Sequence, residues 1–515
     1  MNWKTVCEKL PVPVHDPSRD RFYLELSLRD DFTRLVARTL EARQVGAWKP
    51  GYNAGVFAAE WGYSFTHLGG TVDGMGREIC RGYETEPSTR AEALEAARVF
   101  LQKVYLKDHP HPWYAMNGHY PWHHYSGEFG FDGLGSEIGE NINNCQWHIA
   151  LNRGAAAQYG KPWFIDFSSW YGPGVLDYHT PGHWKDYSSP DAGHSINLFE
   201  RALYMSYMAG ADEVVAESGG VLAVLDDRDE DGLLKLSPYG EACRRFNAFI
   251  RDNPDVGSCV IPLALVIDRL HGMYPGFEGK KSFDRFAYDA GDEMTWNIVD
   301  LLLPGGWEVQ GKREVGYMVN GPFGDGFDVL LQTVGDEVLS RYPIALLSGS
   351  LQLSAQEADR FERYVQAGGT LLVNVAYLAA FPRWQSFCGE TPYGNGRVIV
   401  YGGEPYDVTP LRDILTGLWA DWLPVSFSRP VEYSLNVKEN RVWMTLIHNE
   451  GVEKDFRTPV EIDPSKAMDL TVAFREKVPG TATELLSGTV QTISGGKLNT
   501  HMQPGQVQIW TWEFD

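Results

Sequence analysis

Three glutamates in the first half of this sequence follow short apolar or small-residue runs at points where a loop begins. Gly55-Val56-Phe57-Ala58-Ala59 leads to Glu60, Asp132-Gly133-Leu134-Gly135-Ser136 to Glu137, and Val214-Val215-Ala216 to Glu217. Glu140 lies one turn beyond Glu137, and Phe164-Ile165 leads to Asp166. In a barrel of parallel strands, the C-terminal strand ends build the site. A lone carboxylate at such an end is usually a helix cap or an ion-pair partner. Several in one barrel suit a different task. Glycosidic cleavage needs one carboxyl held protonated and one held ionised, facing each other across a sugar.

Other chemistries fit less well. The imidazole-rich stretch from His109 through His119 to His123-His124 matches no metal-ligand spacing. His119, His123 and His124 could equally hydrogen-bond sugar hydroxyls, so neither metal nor cofactor is expected. Ser168-Ser169 lacks the Gly-x-Ser-x-Gly elbow of a serine hydrolase. The net charge of −23 disfavours nucleic acid and anionic membrane, which reward clustered Lys and Arg. The six cysteines form no Cys-x-x-Cys pair, so reduced, structural thiols are expected. No apolar run nears membrane-spanning length, and Met1-Asn2-Trp3-Lys4 leads into no signal-type apolar segment. A cytoplasmic protein is expected. Trp61, Trp113, Trp122, Trp170 and Trp184 fall in the first half, and they suit either packing or a cleft where flat faces stack on sugar rings.

A chain of 515 residues is long enough for about three domains. Up to residue 255, strands such as Phe22–Leu28, Gly55–Trp61, Trp113–Asn117, Asp132–Ser136, Pro162–Phe167 and Asp212–Ala216 alternate with amphipathic helices near Arg90–Tyr105 and Ile196–Met208. That alternation predicts a parallel sheet, open or closed into a barrel. Residues 256–427 predict a second, flavodoxin-like α/β domain, with Ser354-x-x-Glu357 opening a helix that stops near Gly368. Residues 428–515 carry only strand signals and predict an antiparallel β-sandwich.

This order of barrel, small α/β domain and sandwich resembles the β-galactosidases of glycoside hydrolase family 42, in the clan of (β/α)8 glycosidases, along nearly the whole chain. Asp31–Leu40 followed by Gly55–Gly62 is similar to that family's third helix and fourth strand. Trp113–Tyr120 is similar to its fifth strand, Phe131–Gly139 to its sixth and Ala209–Val215 to its eighth; Pro343–Asn374 is similar to its trimer-forming domain. The resemblance implies a (β/α)8-type barrel, a glycoside hydrolase and a homo-oligomer, a trimer being favoured, acting on a carbohydrate. It also implies that Glu60 is the proton donor; Trp61 beside it would limit water and raise its pKa.

Two departures stand out. Ala59 replaces the family's asparagine, and Asp166-Phe167-Ser168 stands where its nucleophilic glutamate ends the seventh strand. The partner carboxylate then falls to Glu137, as nucleophile or as base, with Glu217 the second choice. Asp166, Asn117, His119, Glu140 and Trp170 would contact the sugar. Only about 50 residues precede the fourth-strand match, too few for three βα units. The barrel is therefore incomplete, compressed or completed by a partner chain. Alternative readings are a sugar-binding barrel without catalysis and a polysaccharide lyase.

Overall fold

In the computed structural model, which describes residues 24–26, 56–66, 70–72, 78–103, 113–118, 120–139, 144–168, 195–216, 222–228, 230, 234–274, 281–305, 318–454, 458–475 and 478–513, the first half is built on six parallel strands. They are β1 (Leu24–Leu26), β2 (Val56–Ala59), β3 (Trp113–Asn117), β4 (Gly133–Gly139), β5 (Trp163–Ser168) and β6 (Glu213–Ala216). Their order across the sheet is β1-β6-β5-β4-β3-β2. Helices α1 (Trp61–Thr66), α2 (Arg90–Leu101), α3 (His123–Phe129), α4 (Cys145–Tyr159), α5 (Ile196–Ala209) and α6 (Pro238–Asp252) complete this half.

The strand–helix units repeat one local device. Helices α3, α4 and α5 each end on a left-handed glycine, Gly130, Gly160 and Gly210. A glycine there closes the last turn without the strain a Cβ would bring. Three residues later the next strand begins. Helix starts are fixed by side-chain caps: Asn144 accepts from the Trp147 N–H, and Ser195 from the Leu198 N–H.

Alternation along the strands sorts the side chains onto two faces. Ala58, Ala115 and Leu134 pack into one apolar cluster with residues of α1, α2 and α3. Ile138, Ile165, Phe167 and Val214 pack into another with residues of α4, α5 and α6. The opposite face carries Tyr114 and Met116 on β3, Gly133, Gly135 and Glu137 on β4, and Phe164 and Asp166 on β5.

The second half differs in detail from the sequence pattern. Its sheet runs Phe327–Leu331, Leu263–Ile267, Ile344–Leu347, Thr370–Asn374, Gly396–Tyr401 and Gly389–Tyr393. The first five are parallel and the last is antiparallel. The Phe327–Leu331 strand was missing from the sequence pattern. Ser354 and Glu357 do form a reciprocal capping box, and that helix stops at Gly368. After residue 428 the described residues form antiparallel strands, but the larger sheet also takes in Ser258–Cys259, which pairs with Asn436 and Val437. Among the described residues no helix is long and apolar enough to cross a membrane. Cys145, Cys243, Cys259 and Cys388 are free thiols.

Helix α4 joins the halves. The Arg153 guanidinium donates to both carboxylate oxygens of Asp325, at 2.7 and 2.9 Å, and to Asp328 at 2.7 Å. All three residues are buried. Next to it, Gly154 brings the helix backbone onto the Phe327–Leu331 strand: a Cβ there would lie 1.9 Å from the Val329 carbonyl oxygen.

Candidate active site

Glu60 stands where β2 gives way to α1. Its φ is 46°, in the left-handed region that glutamate seldom adopts. Its N–H donates to the Met116 carbonyl at 2.7 Å, and its own carbonyl accepts from Ser64. The sharp turn takes Glu60 out of the strand line, and its side chain swings over the end of β3.

Strand register brings the second carboxylate to the same place. Asn117 pairs with Ser136, and Glu137 with Asp166. Glu137 is not at the strand end, as its sequence setting implied; β4 continues to Gly139. Glu137 and Asp166 are both buried, 3% exposed each, on the face away from the apolar helix clusters.

Gly118, immediately after β3, is where the two glutamates meet. A Cβ on Gly118 would lie 2.7 Å from Glu60 Oε1 and 2.9 Å from Glu137 Oε2. The two oxygens are therefore no farther apart than the two distances laid end to end, under about 6 Å, short of the spacing an inverting carboxylate pair needs for its water. Below them, β4 offers glycine on alternate positions. The Tyr114 ring lies over Gly133 and the Phe164 ring over Gly135, where a Cβ would be 2.2 Å from each ring. The rings meet edge to face at 6.2 Å. The space over Gly135 is thus filled by Phe164, and Ser136 faces the helices, bonded to His123 and to the His148 carbonyl. Ser168, two residues beyond Asp166 on β5, has a fully buried hydroxyl without a hydrogen-bond partner among the described residues.

The remaining candidates separate into two groups. Trp61 is fully buried among the helices, 5.3 Å from Trp122, and its indole N–H donates to Ser126 Oγ at 2.9 Å. Asn117 points to the same side and donates to Ser126 Oγ at 3.3 Å. These two do not line the face where the carboxylates converge; they tie the ends of β2 and β3 to α3. His123 and His124 are also fully buried. Burial drives both imidazoles down, His124 to about 3, so both are neutral, and His124 bonds the Val329 carbonyl at 2.9 Å. They serve packing, not a sugar or a metal. Among the described residues no cluster of three or more His, Cys, Asp or Glu could hold a metal ion. His119, Glu140, Trp170 and Glu217 lie outside the described residues. The sequence reading missed Gly118, and its only signal was a glycine directly after a strand.

No protein-family model matches this chain, and no curated protein matches it. Solved structures do. A β-galactosidase from Bacillus circulans sp. alkalophilus aligns over 99% of this chain and 81% of its own, at 12% identity and a TM-score of 0.50. Gan42B, a GH42 β-galactosidase from G. stearothermophilus, aligns over 93% of this chain and 75% of its own, at 13% identity and a TM-score of 0.49. A rhamnosidase from Novosphingobium sp. PP1Y aligns over 82% of this chain at 12% identity and a TM-score of 0.46, and the chain spans only 39% of that protein's length. The fold is mixed α/β, and its likeness to the Bacillus circulans β-galactosidase is remote.

Proposed function

We propose that this chain is a glycoside hydrolase in which Glu60 is the proton donor and Glu137 the nucleophile. One observation carries the reading: two glutamates from non-adjacent strands converge over Gly118 on the face opposite the apolar helix clusters. A separation under about 6 Å leaves no room for a water between sugar and carboxylate, so a retaining course through a glycosyl-enzyme intermediate follows. Asp166, paired with Glu137 across β4 and β5, is placed to hold sugar hydroxyls beside it. The parallel sheet, six-stranded among the described residues, is read as part of a (β/α)8-type barrel, because its first strand pairs with its last.

The test is a panel of aryl glycosides, β-galactosides, α-fucosides and α-rhamnosides among them, with Glu60→Gln and Glu137→Gln. Both variants should keep the wild-type melting temperature and lose about 10²–10⁴-fold in kcat/KM. The Glu60→Gln loss should shrink with a 2,4-dinitrophenyl leaving group, which departs without a proton. The Glu137→Gln loss should not. Folded variants that both keep near wild-type turnover would overturn the assignment.

A further inference from the structure

We propose that Gly118 is the positioning residue that sets the working distance between the two carboxylates; the proposal rests on the glycosidase reading above. Glu60 follows β2 and Glu137 belongs to β4, with β3 between them. Two strand spacings separate their backbones by about 10 Å. Their carboxylate oxygens nevertheless come to under about 6 Å of each other, because both lean over the position directly after the middle strand, which bears no side chain. Gly118 has no positive φ, unlike Gly130, Gly160 and Gly210. Its backbone would accept any residue, so the space above it, and not the chain path, demands glycine. The atoms a methyl would strike are Glu60 Oε1 and Cγ, the latter at 3.0 Å, and Glu137 Oε2. The two oxygens are ends of flexible side chains, which move aside at little cost, and the Glu60 Cγ contact asks only a small shift of that side chain. A methyl at this position therefore leaves the fold intact and spreads the pair.

The experiment is a double-mutant cycle between Gly118→Ala and Glu60→Ala, read on a phenyl glycoside that the wild type cleaves and whose leaving group needs the proton, with melting temperature and pH–rate profile for each protein. Gly118→Ala alone should cost about 10²-fold in kcat/KM, the scale of a misplacement near 1 Å. Its alkaline limb should move to lower pH, since a proton donor farther from its anionic partner gives up its proton more readily. On the Glu60→Ala background the same change should cost a clearly smaller factor, because its nearest obstacle is gone. A purely structural glycine would cost the same factor in both backgrounds and leave the pH limbs in place; that result overturns the proposal while the glycosidase reading stands. If Gly118→Ala proves unstable, the double variant should recover the lost melting temperature, and failure to recover it also overturns the proposal. A wild type inert on every glycoside sinks both readings together.

Discussion

Asp268 should make the protein less stable at neutral pH than its own isosteric variant. It lies just past the Leu263–Ile267 strand, 8% exposed, and accepts from the Leu270 N–H at 2.9 Å. Around it are Asp289 and Asp292, the capping box of the next helix, and Arg90 from α2, which donates to Asp292 at 3.0 Å. Burial is the main cause that lifts the Asp268 carboxyl to about 6; the Asp292 and Asp289 charges add to it, while the Leu270 N–H and Arg90 oppose it. The folded state therefore holds this proton where the unfolded state has released it. The stabilisation is full below the unfolded value of 3.8 and is lost as pH rises through about 6. A shift of that size corresponds to about 3 kcal/mol. Asparagine keeps the acceptor for Leu270 and has no charge to bury. Urea denaturation of wild type and Asp268→Asn, followed by tryptophan fluorescence from pH 4 to 8, should give near-equal stability at the acid end. The variant's advantage should grow toward about 3 kcal/mol by pH 7.5. A difference that is flat across this range, or a variant less stable at pH 7.5, would refute the argument.

Two further predictions concern the join between the halves. Arg153→Met should cost about 3–5 kcal/mol in the same denaturation assay, because it strands Asp325 and Asp328 as buried charges; a cost under about 1 kcal/mol, the size of a surface pair, would show that they are solvated. Gly154→Ala should lower stability by at least about 1–3 kcal/mol, since its methyl would meet the Val329 backbone, which cannot rotate away. A neutral Gly154→Ala would show that α4 can lift off the strand.

Local signals were readable in the sequence, and relations between distant strands were not. The Ser354–Glu357 box and the stop at Gly368 depend on residues a few positions apart, and both formed. Glu60 and Glu137 could be singled out because carboxylates that follow small or apolar runs stand out locally. Which face a side chain takes depends on where a strand truly ends. β4 runs to Gly139, so Ser136 falls to the helix side and Glu137 to the other. Asn117 shows the same limit: one residue before Gly118, it faces Ser126 instead of a sugar. The Phe327–Leu331 strand hid for another reason. It contains Asp328, which a sequence reading places at the surface, and its neutralising partner Arg153 lies 175 residues away. Gly118 carries meaning only once β2 and β4 are known to flank β3.

The helix side of the sheet explains how the carboxylate side can exist. A left-handed glutamate costs on the order of 1–3 kcal/mol and persists only where its surroundings over-determine it. Around Glu60 they do. Its N–H is bonded to Met116, and the next residue, Trp61, is locked among Trp122 and Phe65 with its indole on Ser126. Ser126 also holds Asn117, the residue before Gly118. One buried serine on α3 thus fixes the backbone on both sides of the carboxylate meeting point. Trp122 in turn donates to the Met273 carbonyl at 2.9 Å, and Tyr125 to the Arg269 carbonyl at 2.9 Å. The second half of the chain thereby braces the strained turn from outside. Trp61, Asn117 and Ser126 hold Glu60 and Gly118 in place.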